Sequence, residues 1–211
     1  MTSKAIVVAH FREDLSWLAD LSDEWIVWLY HKSPDHATAP PGGREPQSKP
    51  MLLPNIGREA HTYLYHIVQH YDDLKGEIVF CQGNPFPHDR KFIHHLACDE
   101  VRWYGRICEC DIHGNPHWVG AKFLASEYCR VFGLPIPDSY RFVSGAQYRL
   151  HAEQIKKRPR KFYETLLAVS EIQRDHPWNL ERLWPIIWNV PLASKAMADV
   201  QRCPSNHPAA L

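Results

Sequence analysis

The chain has 211 residues, of which 45% are hydrophobic and 23% charged, with 24 Lys and Arg balanced by 24 Asp and Glu. That length suits one domain with a sizeable core. A formal net charge of zero argues against coating nucleic acid or anionic membrane by bulk charge, although it leaves room for a local basic groove. No apolar run reaches bilayer-spanning length, and "MTSKAIVVAH" lacks the long apolar core of a signal peptide. The six cysteines follow no disulfide-scaffold rhythm and fit reduced thiols of a cytoplasmic protein. Cys108-x-Cys110 has no second thiol pair with which to build a structural zinc site.

In chain order, Ala5 to Ala9 is a continuous apolar run that predicts a strand buried on both faces. Glu13-Asp14 opens a short helix through Trp17 and Leu21, where negative charge suits the helix dipole. Trp25 to Tyr30 predicts a second strand. Ser33 to Leu53, rich in Pro and Gly, predicts a long loop. Ala60, Tyr63, Leu64, Ile67, Val68 and Tyr71 then recur at helical spacing. A third strand is expected at Glu77 to Cys81, a helix at His88 to Ala97 and a strand at Val101 to Cys110. Lys122 to Phe132 predicts a helix and Arg141 to Arg149 a strand. Three helices follow, near His151 to Lys157, Arg160 to Ile172 and Leu180 to Trp188. The alternation predicts an α/β domain over residues 1–190 with a mostly parallel sheet flanked by helices. Residues 191–211 read as a peripheral tail.

In parallel sheets ligands gather at the carboxyl ends of the strands, and here each buried strand ends in a polar segment. These are His10 to Asp14, His31-Lys32, and Gln82 to Asp89. The turn Asn55-Ile56-Gly57-Arg58-Glu59 opens the periodic helix. Its N–H groups and Arg58 suit an anion, and Gly57 permits close approach; alternatively Asn55 merely caps the helix. Most of the fourteen histidines sit on amphipathic helices as surface or half-buried residues. His88, Asp111, His113 and His117 lie instead in turns beside strand ends, and His88, Asp111 and His117 are candidate metal ligands. Ser144 to Tyr148 ("SGAQY") puts Gly and Ala inside an expected strand, a mark of close approach by a ligand or another backbone. Lys156 to Lys161 is a short basic run, either a solvated junction or a phosphate contact. Glu181 and Arg182 stand in a helix otherwise rich in Trp and Leu. A rim-facing Glu181 would be pushed up by burial and suited to proton transfer.

Six segments, "IVVAHFREDLSWL", "LPNIGREAHTYLYHIVQHYDDL", "IVFCQGNPFPHD", "CDIHGNPH", "SGAQYRLHAEQIKKRPRKFYETLL" and "WNLERLWPIIW", resemble in order the DUF3431 family of uncharacterised domains. That family in turn looks like GT-A type glycosyltransferases, and the Asn-x-Gly-Arg-Glu turn is similar to an Asn-x-Gly-Arg-Asp of some bacterial polysaccharide enzymes. The resemblance implies a GT-A-like fold and transfer from a nucleotide-activated sugar donor. It puts Glu13 and Asp14 near the nucleotide, and Gln82, Asn84 and His88 at the metal and diphosphate position. Asn55, Gly57, Arg58, Glu59 and Arg182 would bind substrate, with Glu181 and His88 catalytic. A divalent cation, Mn or Mg, is the implied cofactor, yet no Asp-x-Asp occurs. "HFRED" and "LYHKS" also stand where the family more usually has Tyr-Asn-Glu-Asp and Tyr-Asn-Lys-Gly. Without a metal, Arg58, His88 or Lys32 would have to neutralise leaving-group charge. Two other readings remain open. One is a non-catalytic nucleotide- or glycan-binding module. The other is a cyclodipeptide synthase-like enzyme taking aminoacyl-tRNA on the basic run, against which the neutral charge argues.

Overall fold

The computed structural model describes residues 3–33, 51–111 and 124–192. Strand β1 (Lys4–His10) lies at the centre of a five-stranded sheet, flanked by β2 (Trp25–His31) and β4 (Glu77–Gln82). The two-residue β3 (Met51–Leu52) pairs with β2 at one edge, and β7 (Tyr148–His151) with β4 at the other. β1–β2, β1–β4 and β2–β3 are parallel and β4–β7 antiparallel, so the sheet is mostly parallel, as expected. A separate antiparallel pair joins β5 (Ile107–Asp111) to β6 (Ser139–Val143).

The apolar strand sequences divide by alternation between two layers. Ile6, Val8, Val27, Leu29, Val79 and Cys81 face the 3₁₀ helix Ser16–Asp20 and α2 (Phe92–Leu96), packing with Trp17, Leu18, Phe92 and Leu96. Val7, Tyr30, Ile78 and Phe80 face α1 (Arg58–His70) and the C-terminal helices. These are α3 (Ala125–Phe132), α4 (Ala152–Lys156), α5 (Arg160–Ile172) and α6 (His176–Ile187). Trp184 and Trp188 stack at 4.2 Å, and Phe80 continues the stack against Trp188 at 5.6 Å. That is a large apolar payload holding α6 to the sheet. Among the described residues no helix is long and apolar enough to cross a membrane.

Four expectations are corrected. Arg141 to Arg149 is not one strand: the chain leaves β6, turns at Ser144-Gly145 and enters β7 in the other sheet. Gly145 at φ 84 and Ala146 at φ 52 break the extended run. Val101 to Cys110 is strand only from Ile107, because Arg102 and Trp103 cross beside β7, where the Arg149 N–H donates to Arg102 O. Asn55 does not cap α1: the N-cap is Gly57 at φ 59, with no side-chain cap bond, and Asn55 is exposed. Finally, His61 and His66 are buried, since α1 is enclosed by β1, β4, α5 and α6 rather than half-solvated.

Candidate functional site

The parallel strands set their polar tips on one rim, where the N-terminus of α1 meets them. Lys32 N–H donates to His10 O and Leu53 N–H to His31 O, which ties the ends of β1, β2 and β3 together. The chain then turns through Ile56, whose N–H donates to Pro54 O, into Gly57 and Arg58, both with positive φ (59° and 49°). Gly57 tolerates that conformation and a close approach: a Cβ there would sit 2.7 Å from His61 Cβ and 3.3 Å from Ser170 Cβ of α5. Arg58 has no such licence. A non-glycine residue held there costs on the order of 1 kcal/mol, and such strain clusters at functional sites.

Opposite this turn stand the tip of β4, the β6–β7 turn and the start of α6. The Gly145 N–H donates to Glu181 Oε1 at 2.9 Å, and Gln82 Nε2 donates to the Gly145 carbonyl at 3.2 Å. His88 packs directly on Gly145: a Cβ on that glycine would lie 2.4 Å from His88 Cδ2. The four segments enclose a cavity of about 70 Å³, walled by Arg58, Glu59, Gln82, His88, Gly145, Pro177, Trp178 and Glu181. The Arg58 guanidinium lies 5.6 Å from the Trp178 ring centre, and its Nε is 3.5 Å from Glu59 Oε2.

The charges here are held at a cost. Burial is the main influence on Glu181, whose side chain is 17% exposed. The neighbouring Glu59 pushes in the same direction, against the Gly145 N–H and the Arg182 and Arg58 charges, and leaves the Glu181 carboxyl at about 7. Glu59 is 10% exposed and is also raised by burial, opposed by Arg58 and Lys32. Lys32, 5% exposed, is brought down to about 8 by burial, although Glu59 supports its charge. Burial and the Arg58 charge lower His88, so its imidazole is neutral near pH 7. Strong perturbation by desolvation plus named charge partners, in a cleft, marks a candidate functional site.

Arg58, Glu59, Gln82, His88 and Glu181 are therefore brought to one cavity, with Gly57 immediately behind it. The other candidates lie elsewhere or are engaged locally. Glu13 Oε2 accepts from the Phe11 and Arg12 N–H groups and lies beneath Gly83. Exposed Asp14 accepts from the backbone and hydroxyl of Ser16, and Asn84 Oδ1 accepts from the Phe86 N–H. Buried Arg182 donates to Trp178 O and lies over the Phe142 ring, 4.9 Å away. Among the described residues no three His, Cys, Asp or Glu side chains come together to hold a metal. The Arg58 charge beside His88 opposes a cation there. The Asp111 side chain and His117 lie outside the described residues. Lys156 to Lys161 is occupied as scaffold. Lys156 donates to Leu74 O at 2.8 Å, Arg160 pairs with Asp72 and Glu164, and Lys161 pairs with Glu164.

Pro177 and Trp178 also line the cavity without being sequence candidates, and Gly145 is marked in the sequence only as a point of close approach. The glycine within "SGAQY" and the "PW" opening α6 were the available signals, but which cavity they line depends on the tertiary fold.

Residues 6–104 match the model of the family described as "Protein of unknown function (DUF3431)", which supports the DUF3431 resemblance over that stretch. The stretch holds Lys32, Arg58, Glu59, Gln82 and His88, while Gly145, Trp178 and Glu181 lie beyond it. No curated protein and no solved structure matches the chain.

Proposed function

We propose that the protein is a glycosyltransferase-like transferase of GT-A type, in which Glu181 is the general base that activates an acceptor hydroxyl against a nucleotide-activated donor. In that step the hydroxyl oxygen forms a bond to the transferred carbon and its proton passes to Glu181. The bond from that carbon to the donor phosphate breaks, and the nucleotide leaves with the electron pair. Arg58, the exposed cation of the cavity wall, stands where leaving-group charge can be met. Trp178 offers an aromatic surface beside it, of the kind that packs against the apolar face of a sugar ring. The cavity has room for a substituent of such a ring rather than the whole ring.

The observation that carries this reading is Glu181 itself. It is a carboxylate buried at a cavity wall, fixed by one backbone N–H, with an affinity for protons near neutral pH. A base so poised is half in its accepting form at the operating pH and binds the proton strongly enough to take it.

The test is thermal-shift screening against UDP, GDP, CMP and their sugars, with and without Mn²⁺, followed by turnover of any stabilising donor. The account expects a stabilising nucleotide sugar whose turnover falls at least about 100-fold in Glu181→Gln while binding persists. Silence from every nucleotide would remove the donor, and turnover unchanged by Glu181→Gln would remove the base. Binding without turnover in the wild type would indicate a binding module that keeps the cleft without the chemistry.

A further inference from the structure

We infer that His66 and His70, one turn apart on the far half of α1, form a binding site for a divalent transition-metal cation. The protein supplies two imidazole nitrogens and leaves the ion's other positions to water. Along the helix His66 lies about 12 Å and His70 about 18 Å from Arg58, so an ion there is independent of the cavity and of the proposed transfer reaction.

Residues four apart on a helix share one face, which is how two histidines of one helix come to hold one ion. The ring centres of His66 and His70 lie 4.8 Å apart, with 42° between the ring planes. Two imidazoles bound at about 2.0–2.1 Å to one tetrahedral ion put their ring centres about 5 Å apart. The pair already stands at ligating separation. His66 Nδ1 is bonded to the Tyr30 hydroxyl at 2.8 Å. A hydroxyl can accept as well as donate, so Tyr30 can accept from Nδ1–H and leave Nε2 as the ligand atom. Partners of this kind orient histidines on metals. His70 Nε2 is buried and has no hydrogen-bond partner among the described residues. Such a nitrogen has lost its hydration with nothing in return, and a bound ion restores a partner.

The surroundings suit a cation. Trp28 of β2 shelters both rings, its centre 5.3 Å from that of His66 and 4.4 Å from that of His70. His66 is 2% exposed, whereas Trp28 and His70 are half-buried, so the His70 side is the path of entry. His70 is the last residue of α1, at the negative end of the helix dipole, and the exposed Asp73 acts on it from the following turn. Burial lowers both imidazoles, which are therefore neutral near pH 7 and need shed no proton to ligate. Neutral imidazoles with water in the open positions select Zn²⁺, Cu²⁺ or Ni²⁺ over Ca²⁺ and Mg²⁺, which take oxygen ligands. Ring packing alone accounts for the contact of the three aromatic planes. It leaves His70 Nε2 unpaired.

The experiment titrates Zn²⁺ into the reduced full-length protein by isothermal calorimetry, with long-range ¹H–¹⁵N NMR of the histidine rings at each addition. It uses no donor or acceptor, so it stands or falls separately from the nucleotide and turnover assays. At the first equivalent the ring nitrogens of His66 and His70 should move together, ahead of every other histidine. His70→Gln should weaken binding at least about tenfold, and Tyr30→Phe, which removes the partner of Nδ1, should weaken it by about tenfold. His88→Gln should bind Zn²⁺ as the wild type does, which separates this site from the cavity. Zn²⁺ should also raise the melting temperature of the wild type and leave that of His70→Gln in place. Should His70→Gln fail to fold, the ring shifts of the wild type decide alone. A pair that merely packs would lose melting temperature in His70→Gln and show no dependence on zinc. No saturable binding, first shifts confined to other histidines or to cysteines, or affinity unchanged in His70→Gln would overturn the site.

Discussion

The two ends of helix α1 use charge in opposite ways. At its C-terminal end, Asp72, Lys156, Arg158 and Arg160 gather in the open. Lys156 donates to Leu74 O, the Tyr71 hydroxyl donates to Arg158 O, and Arg160 pairs with Asp72 at 3.4 Å. These groups keep contact with water and stabilise the α1–α5 junction at little cost. At the N-terminal end, Lys32, Glu59 and Glu181 are taken out of water, Arg58 is held at positive φ, and no side chain caps the helix. A charge cluster satisfied on the surface costs the fold little; one buried against its own solvation is held at the expense of stability.

Substitutions can break this contrast. The largest expected effect is at Gly145, where φ is 84° and an added Cβ would meet His88 at 2.4 Å. Gly145→Ala should lose about 2 kcal/mol or more in chemical denaturation and displace His88 from the cavity wall. If it is tolerated without loss, the tight wall is not essential.

Acid provides the next test. Burial holds His61 and His176 at about 4, below their ordinary 6.5, so both are neutral in the folded chain near pH 7. A lowered group stabilises fully above its unfolded value and loses that contribution as pH falls through its folded value. In Glu181→Gln, which removes the opposing gain from the raised Glu181 carboxyl, stability should therefore decline from pH 6.5 towards 4, and Tyr128, bonded to His176 Nδ1 at 2.6 Å, reports locally on one of the two. A pH-independent melting temperature across that window would contradict the burial of these imidazoles.

Arg58→Gly separates strain from recognition. Removing the side chain from a positive-φ site should leave stability unchanged or raise it by up to about 1 kcal/mol, while weakening ligand binding by about tenfold or more. Loss of stability without loss of binding would make Arg58 scaffold. The smallest effect belongs to the other end of the helix: Arg160→Ala should cost less than about 0.5 kcal/mol and leave the cavity untouched.

Much of this was legible in the sequence where one local rule decides. The apolar runs gave β1, β2 and β4, and the periodic pattern after Pro159 gave α5 with its bounds, Arg160–Ile172. Five polar residues proposed from strand ends and helix mouths, Arg58, Glu59, Gln82, His88 and Glu181, share one cavity. What stayed illegible depends on contacts distant in sequence. Arg141 to Arg149 reads as one strand, yet β6 and β7 belong to different sheets, and only β4 and β5 decide where each half pairs. Asp14 and Asn84 resembled Glu59 as acidic or amide residues near strand ends. They are exposed, and each is engaged by a local donor, Ser16 or Phe86, away from the cavity. Lys32 looked like one more polar tip, and its burial beneath α1 follows from the register of β2 against β1 and β3.

The central claim, that the rim holds charge at the expense of stability, is tested most directly at Glu181. Its carboxyl is raised from about 4.5 to about 7, so its stabilising contribution is complete below 4.5 and lost as pH rises through 7. Gln reproduces the protonated form, including an acceptor for the Gly145 N–H. Urea denaturation of wild type and Glu181→Gln at pH 5 and pH 8 therefore has a signed outcome. The two proteins should be nearly equally stable at pH 5, and the variant should be more stable by roughly 2–3 kcal/mol at pH 8. A variant equally destabilised at both pH values would show that the ionised carboxylate holds the fold together, and would contradict the account.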